Sequence, residues 1–97
     1  MQAIDRAVAI LKSLTPTMEQ RSFTLAEVAR ATGLSPATTR RILAALVEHE
    51  LAEYDPETRR YRLGVRLLQM GLSIWQTSEL RDVARASMVT LARQTGE

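Results

Sequence analysis

The chain has 97 residues, 45% of them apolar and 25% charged, so it fits one small globular domain, or one domain plus a fragment of the next, and is too short for most two-layer enzymes. It contains no cysteine, which excludes disulfides and thiolate zinc sites and is compatible with a reducing compartment. Thirteen basic residues against eleven acidic ones give a net charge of +2, and all but one of the basic residues are arginine, a bias that suits the recognition of phosphates and base edges.

Two amphipathic helices are predicted in the first third of the chain. The first runs from Ala3 to Thr15, where apolar residues recur at helical spacing, and Pro16 ends it. The second begins at Thr24, which forms a T-x-x-E capping box with Glu27. It ends at Gly33, because glycine accepts the left-handed conformation that follows many helices.

A third helix and a β-hairpin follow closely. Ser35 is a favourable N-cap, and Pro36 takes the first helical position, where a missing N–H costs nothing. After this helix the hydrophobic period changes from helical to alternating. Residues 51–55 and 60–63 are therefore predicted as antiparallel strands, joined by a turn at residues 56–58.

The rest of the chain is predicted to form two more helices. Gly64 is the expected hinge into a fourth helix, Val65 to Trp75, which is apolar around most of its circumference and needs packing partners on two sides. Thr77-Ser78 ends the fourth helix, and a last helix follows that ends at Gly96. This last helix has no core of its own to join, so we expect the chain to stop just after a second domain begins. The expected domains are residues 1–64, 65–77 and 78–97. The expected dimerisation residues are Leu67, Leu68, Met70, Leu72, Ile74 and Trp75.

Three helices followed by a two-stranded hairpin form the winged helix-turn-helix plan, so the predicted fold class is mainly α with a small hairpin. In that plan the third helix enters the major groove of DNA. Its small, polar first turn lets the backbone approach a phosphate, its arginines reach base edges, and the arginines of the hairpin reach phosphates or the minor groove. The predicted DNA-binding residues are Thr24, Ser35, Pro36, Ala37, Thr38, Arg40, Arg41, Arg59, Arg60 and Arg62.

Plain structural roles explain several of these residues as well. Arg40 and Arg41 fit a solvated helix face, and the hairpin arginines fit edge-strand charges that prevent aggregation. His49 is the only histidine and cannot assemble a metal site, and no nucleophile accompanies the alternating carboxylates of residues 53–57. We therefore expect no metal, no cofactor and no enzymatic activity. The alternative to DNA binding is a winged helix used only for protein–protein contact.

The sequence resembles the N-terminal part of an IclR-type bacterial transcriptional regulator over nearly its whole length. The resemblance rests on the segments AIDRAVAILKSL, FTLAEVARATGLSPATTRRILAALVEHELAEYDPETRRYRLG, LLQMGLSIW and LRDVARASMVTLARQTGE. It implies a winged helix that binds double-stranded operator DNA, a linker helix that pairs subunits, and a downstream domain that binds a small-molecule effector. Proteins similar to this one bind operators as homodimers or dimers of dimers, and many repress catabolic operons. Because a two-fold dimer sets two recognition helices in successive major grooves, we expect a roughly palindromic operator. We also expect the protein in the cytoplasm, at the nucleoid.

Two positions depart from the family pattern. The family usually has glycine after the third helix and in the hairpin turn, where this chain has Glu50 and Arg59. If a positive φ is retained, each replacement costs between a few tenths and about one kcal/mol. The second replacement adds a cation at the hairpin tip, which we interpret as an additional phosphate contact.

Overall fold

The computed structural model describes residues 2–76 and 78–95. The chain divides into two compact units, Met1–Leu67 and Leu68–Glu97. Within the described residues, the elements in chain order are α1 (Ala3–Ser13), β1 (Phe23–Thr24), α2 (Leu25–Thr32), α3 (Pro36–Glu48), β2 (Ala52–Asp55), β3 (Arg60–Leu63), α4 (Val65–Trp75) and α5 (Ser78–Thr95). The predicted fold class is confirmed.

The core of the first unit lies where α1, α2, α3 and the sheet meet. It is built from side chains that are almost completely removed from water: Ile10, Leu14, Val28, Leu43, Leu46 and Ala52. Thr39 is the polar residue buried with them, and its hydroxyl donates to the carbonyl oxygen of Ser35 at 2.8 Å. That bond satisfies the hydroxyl inside the helix, so α3 can bury this face at little polar cost.

The first helix ends slightly earlier than the sequence predicts. It stops at Ser13 instead of Thr15, because Leu14 leaves helical geometry at φ −90° and ψ 3°. The Leu14 N–H then bonds to the carbonyl oxygen of Leu11 in a tightened last turn. Leu14 itself remains buried in the core, so the apolar stripe continues beyond the helix.

The sheet has three strands in the order β1-β3-β2, all antiparallel. The predicted hairpin of β2 and β3 is confirmed, and Tyr54 pairs with Tyr61 in its register. The strand β1, which pairs Phe23 with Tyr61, was not predicted. Two residues are too short to produce an alternating pattern, so only the tertiary pairing identifies this strand.

The ends of α2 and α3 are capped as predicted. The Thr24 hydroxyl accepts from the Glu27 N–H at 3.2 Å, and the Glu27 carboxylate accepts from the Thr24 N–H at 2.8 Å. Gly33 ends α2 in the left-handed conformation, with φ 74°. The Ser35 hydroxyl accepts from the Thr38 N–H at 3.2 Å. The caps at Gly33 and Ser35 fix the short turn between α2 and α3, and therefore the direction in which α3 leaves it.

Both non-glycine residues at the family's glycine positions keep a left-handed backbone. Glu50 has φ 62° and Arg59 has φ 56°, so the condition attached to the cost of each replacement is met. Gly64 lies beside the first of them. A Cβ on Gly64 would lie 2.1 Å from the carbonyl oxygen of Glu50 and 2.8 Å from the backbone nitrogen of Ala52. The expected hinge is therefore a place where two backbone segments pass too closely for any side chain.

The two C-terminal helices have the predicted positions. No described residue of α4 is buried, and α5 follows from Ser78. The predictions that concern Thr77, the side chain of Ser78 and Gly96 lie outside the described residues. Across residues 2–76 and 78–95, no helix combines the length and the apolarity needed to cross a membrane.

Candidate nucleic-acid interface

The solvent-facing side of α3 carries two arginines between two alanines. Ala37, Arg40, Arg41 and Ala44 are all exposed and recur at the spacing of one helical face. The buried residues of α3 are Thr39, Leu43 and Leu46. Because the alanines are short, nothing on this face keeps the helix backbone away from a partner while the arginines reach outward.

The first turn of α3 offers fewer free donors than the sequence suggests. The Ser35 hydroxyl already accepts from the Thr38 N–H, and Pro36 has no N–H. Among the described residues, the N–H of Ala37 has no acceptor. The Ala37 N–H therefore remains available to an anion at this helix start.

Arg41 lies on the α1 side of the exposed face. Its Nη2 donates to the Thr38 hydroxyl at 3.4 Å, and it lines a groove of about 350 Å³ together with Arg6 and Ala7 of α1. Arg40 instead faces the hairpin, in a cleft whose lining includes Arg59. The two neighbouring arginines of α3 therefore serve opposite flanks of the helix.

Two of the predicted DNA-binding arginines are held by groups of the protein itself. Arg60 donates from Nη1 to the carbonyl oxygen of Ser22 at 3.1 Å and lies 3.6 Å from Glu27. Arg62 donates from Nε to Glu53 at 2.9 Å. The strand register places these carboxylates beside the arginines. The side chains of Arg60 and Arg62 are therefore already paired within the protein when no ligand is bound.

Glu27 joins the cap of α2 to the sheet. Its carboxylate accepts from the Thr24 N–H and from the Gln20 amide, each at 2.8 Å, and forms an ion pair with Arg60 at 3.6 Å. The hydrogen bond from the Thr24 backbone is the largest cause that holds the pKa of Glu27 below its ordinary value, followed by the one from Gln20. A stably ionised carboxylate at the start of α2 also suits the helix dipole.

The carboxylates of the hairpin also have structural roles. Glu53 accepts from the Val65 N–H at 3.1 Å and so caps the start of α4. Asp55 accepts from the Glu57 N–H at 2.9 Å and forms the hairpin turn. Within the part of the chain that the structure describes, no group of three or more His, Cys, Asp or Glu residues is placed to hold a metal ion.

Arg59 and Arg40 differ from the other arginines of this region. In residues 2–76 and 78–95, neither side chain has a hydrogen bond or an ion pair. They line one cleft of about 370 Å³, together with Leu25 at the start of α2 and the tyrosines Tyr54 and Tyr61. Sequence reasoning missed the tyrosines. Their cross-strand pairing was the available signal, but it becomes visible only once the hairpin register is known.

The structure thus sorts the predicted interface into two groups. Thr24, Ser35, Arg60 and Arg62 have side chains engaged in caps or ion pairs. The second group is exposed Pro36, Ala37, Arg40, Arg41 and Arg59, with half-buried Thr38, whose hydroxyl accepts from Arg41.

The predicted dimerisation residues are mostly exposed on α4. Leu68, Met70 and Leu72 are each more than half exposed, at 60%, 52% and 55%. Ile74 and Trp75 are also exposed, and Leu67 is half-buried. An apolar surface of this size on one helix favours contact with another protein surface.

Residues 3–56 match the family model of the IclR helix-turn-helix domain. Over all 97 residues the chain is 34% identical to the glycerol operon regulatory protein of Streptomyces coelicolor and 28% identical to the HTH-type transcriptional regulator XynR of Escherichia coli. It resembles the crystal structure of an IclR transcriptional regulator from Alicyclobacillus acidocaldarius, with a TM-score of 0.74 and 31% identity over 99% of this chain. It spans 37%, 38% and 39% of the lengths of these three proteins.

Proposed function

Because the chain belongs to the IclR helix-turn-helix family, we propose that it is the DNA-binding part of a transcriptional regulator that works in the cytoplasm. The observation that carries this proposal is the exposed face of α3, where Arg40 and Arg41 project between Ala37 and Ala44. An unobstructed, arginine-bearing helix of this kind fits the major groove.

In this proposal α3 reads bases and the hairpin holds the backbone. A bidentate arginine–guanine contact would contribute about 1–3 kcal/mol of discrimination between bases. Arg59, at the hairpin tip, is free to reach a phosphate. Arg60 and Arg62 contribute less, because each would first have to leave a carboxylate of its own chain.

The second element of the proposal is a homodimer formed through α4. Leu68, Met70 and Leu72 are exposed on a helix with no buried residue, and burial of such side chains against a second copy is favourable. A two-fold dimer sets its two α3 helices about 34–36 Å apart, in successive major grooves, so the operator is roughly palindromic.

The third element is control by a small molecule. We infer that residues 1–64 are the DNA-binding domain, that residues 65–77 link subunits, and that residues 78–97 begin a domain that binds the effector. The chain spans little more than a third of the relatives it matches, and one of them is named for a glycerol operon. Effector binding would shift the population between DNA-competent and incompetent dimers and so relieve repression of a catabolic operon.

In vitro selection from a pool of random duplexes tests the proposal. We expect enrichment of one motif with two-fold symmetry, and binding that weakens steeply as salt rises, because counterions are released from the phosphates. Failure to enrich any duplex at low ionic strength would contradict DNA binding. It would favour the alternative, a winged helix that contacts only proteins.

A further inference from the structure

We propose that Arg40 and Arg59 bind the same DNA phosphate, in the cleft between α3 and the hairpin; this inference rests on the DNA-binding function proposed above. The α3–hairpin cleft is lined by Leu25, Arg40, Tyr54, Arg59 and Tyr61 and has a volume of about 370 Å³. It lies between α3, the helix proposed to enter the major groove, and the hairpin beside it.

The polar groups of the cleft are complementary to an anion. Its lining offers two guanidinium groups and two phenols, and it contains no carboxylate. Guanidinium groups are donors only, and a phenol donates one further hydrogen bond. A phosphate diester offers only acceptor oxygens and a negative charge, so it satisfies this set of donors without leaving a like charge opposite.

The ion pairs around the cleft single out Arg40 and Arg59. Arg60 and Arg62 are neutralised by Glu27 and Glu53 at 3.6 and 2.8 Å. Across residues 2–76 and 78–95, Arg40 and Arg59 have no such partner. Their charges therefore remain available to an external anion without the cost of breaking an internal pair.

The backbone of Arg59 gives a second, independent reason. Its φ of 56° is a conformation that L-residues rarely adopt and that glycine adopts freely. Strained conformations of this kind cluster at functional sites. Here the strained residue places the single arginine of the hairpin turn at the cleft.

The two tyrosines form the aromatic wall of the cleft. The ring centroids of Tyr54 and Tyr61 are 4.7 Å apart, with an angle of 45° between the rings. Burial, followed by the neighbouring Tyr54, raises the pKa of Tyr61, and the nearby charge of Arg40 opposes that rise. The Tyr61 phenol therefore stays protonated and able to donate, and it lines the same cleft as the Arg40 guanidinium.

The two arginines of α3 then have different roles in DNA binding. Arg40 turns toward the cleft and would bind a phosphate, which carries no sequence information. Arg41 lies on the opposite flank and would read bases. Substitution of Arg40 should therefore weaken binding to related duplexes alike, whereas substitution of Arg41 should change which duplexes are preferred.

A double-mutant cycle tests whether the phosphate is shared. Wild type, Arg40→Gln, Arg59→Gly and the double variant are titrated against the selected duplex over a range of salt concentrations. We expect each single variant to bind about tenfold or more weakly and the double variant to lose less than the product of the two single losses. The negative slope of log K against log salt should become shallower by about 0.9 in the double variant, which is the value for one phosphate.

Glu50→Gly is the matched control. It replaces the other left-handed non-glycine residue and relieves the same backbone strain, but it removes no cation from the cleft. We expect its DNA affinity and salt slope to equal those of wild type, and we expect Arg59→Gly to melt no lower than wild type, so that its weaker binding is not a folding defect.

The possible outcomes distinguish a failure of the shared phosphate site from a failure of DNA binding itself. If wild type binds the duplex but the double variant loses a slope of about 1.8, the arginines neutralise two phosphates and the shared site is wrong. Unchanged affinity of Arg59→Gly also overturns the shared site. If wild type binds no duplex at low salt, the proposed function fails and this inference fails with it.

Discussion

At the scale of single residues, the left-handed backbone of Glu50 at the end of α3 requires glycine at position 64. Glu50 takes a left-handed φ of 62°, and its carbonyl oxygen then lies where a Cβ on Gly64 would be placed. The family pattern marks this position as one where glycine is usual, and the structure shows that Glu50 keeps the positive φ there. The close approach of Gly64 is not readable from sequence, since it depends on how β3 returns beside the end of α3.

Gly64→Ala is therefore expected to destabilise the fold by about 1–3 kcal/mol, through overpacking against rigid backbone. Gly71→Ala is the matched control, because nothing lies within 4 Å of a Cβ there and alanine favours a helix interior by about 0.5–1 kcal/mol. Urea unfolding of both variants measures the difference. Equal stabilities of the two would contradict the steric explanation.

At the scale of elements, the start of α2 was predictable, and its connection to the sheet was not. The capping box of Thr24 and Glu27 is a local pattern, and the structure confirms it. The pairing of Arg60 with Glu27 joins residues far apart in sequence, so it follows only from the register of β3. The same holds for Arg62 with Glu53. Sequence analysis considered DNA contacts and edge-strand charges for both arginines, but it did not predict these ion pairs.

The capping box gives a pH-dependent contribution to stability. Since the pKa of Glu27 lies below its ordinary value of 4.5, the unfolded chain binds more protons than the folded one in the acidic range. The contribution of Glu27 is therefore fully present above that ordinary value and is lost as the pH falls through the folded pKa. Glu27→Gln keeps a cap acceptor but should melt with a weaker acid dependence, measured as melting temperature from neutral to acidic pH. Identical profiles for variant and wild type would rule out this contribution.

At the scale of the whole molecule, α4 exposes much of its apolar surface to solvent in a single chain. Its apolar circumference was visible in the sequence, and Leu68, Met70 and Leu72 are indeed exposed. The sequence pattern predicts that such a helix needs a partner. It does not identify the partner, because the same apolar face suits a second copy or another protein.

Leu68→Glu with Leu72→Glu is expected to convert the proposed dimer to monomer, because four buried charges would replace an apolar contact. Gln69→Glu with Ser73→Glu is the matched control. It adds the same charges at the same spacing on α4, at polar positions that are already exposed. Sedimentation equilibrium measures the molar mass of the assembly formed by each variant. If Leu68→Glu with Leu72→Glu has the same assembly mass as wild type, dimerisation through α4 is refuted.

The most direct test of the whole account is the salt dependence of duplex binding by the unmodified protein. Fluorescence anisotropy with a selected duplex measures the affinity from low to high ionic strength. If the exposed arginines of α3 and the hairpin bind the DNA backbone and bases, log K falls linearly and steeply with log salt, by about 0.9 for each phosphate contacted. An affinity that does not respond to salt, or no binding at the lowest salt, would contradict the account.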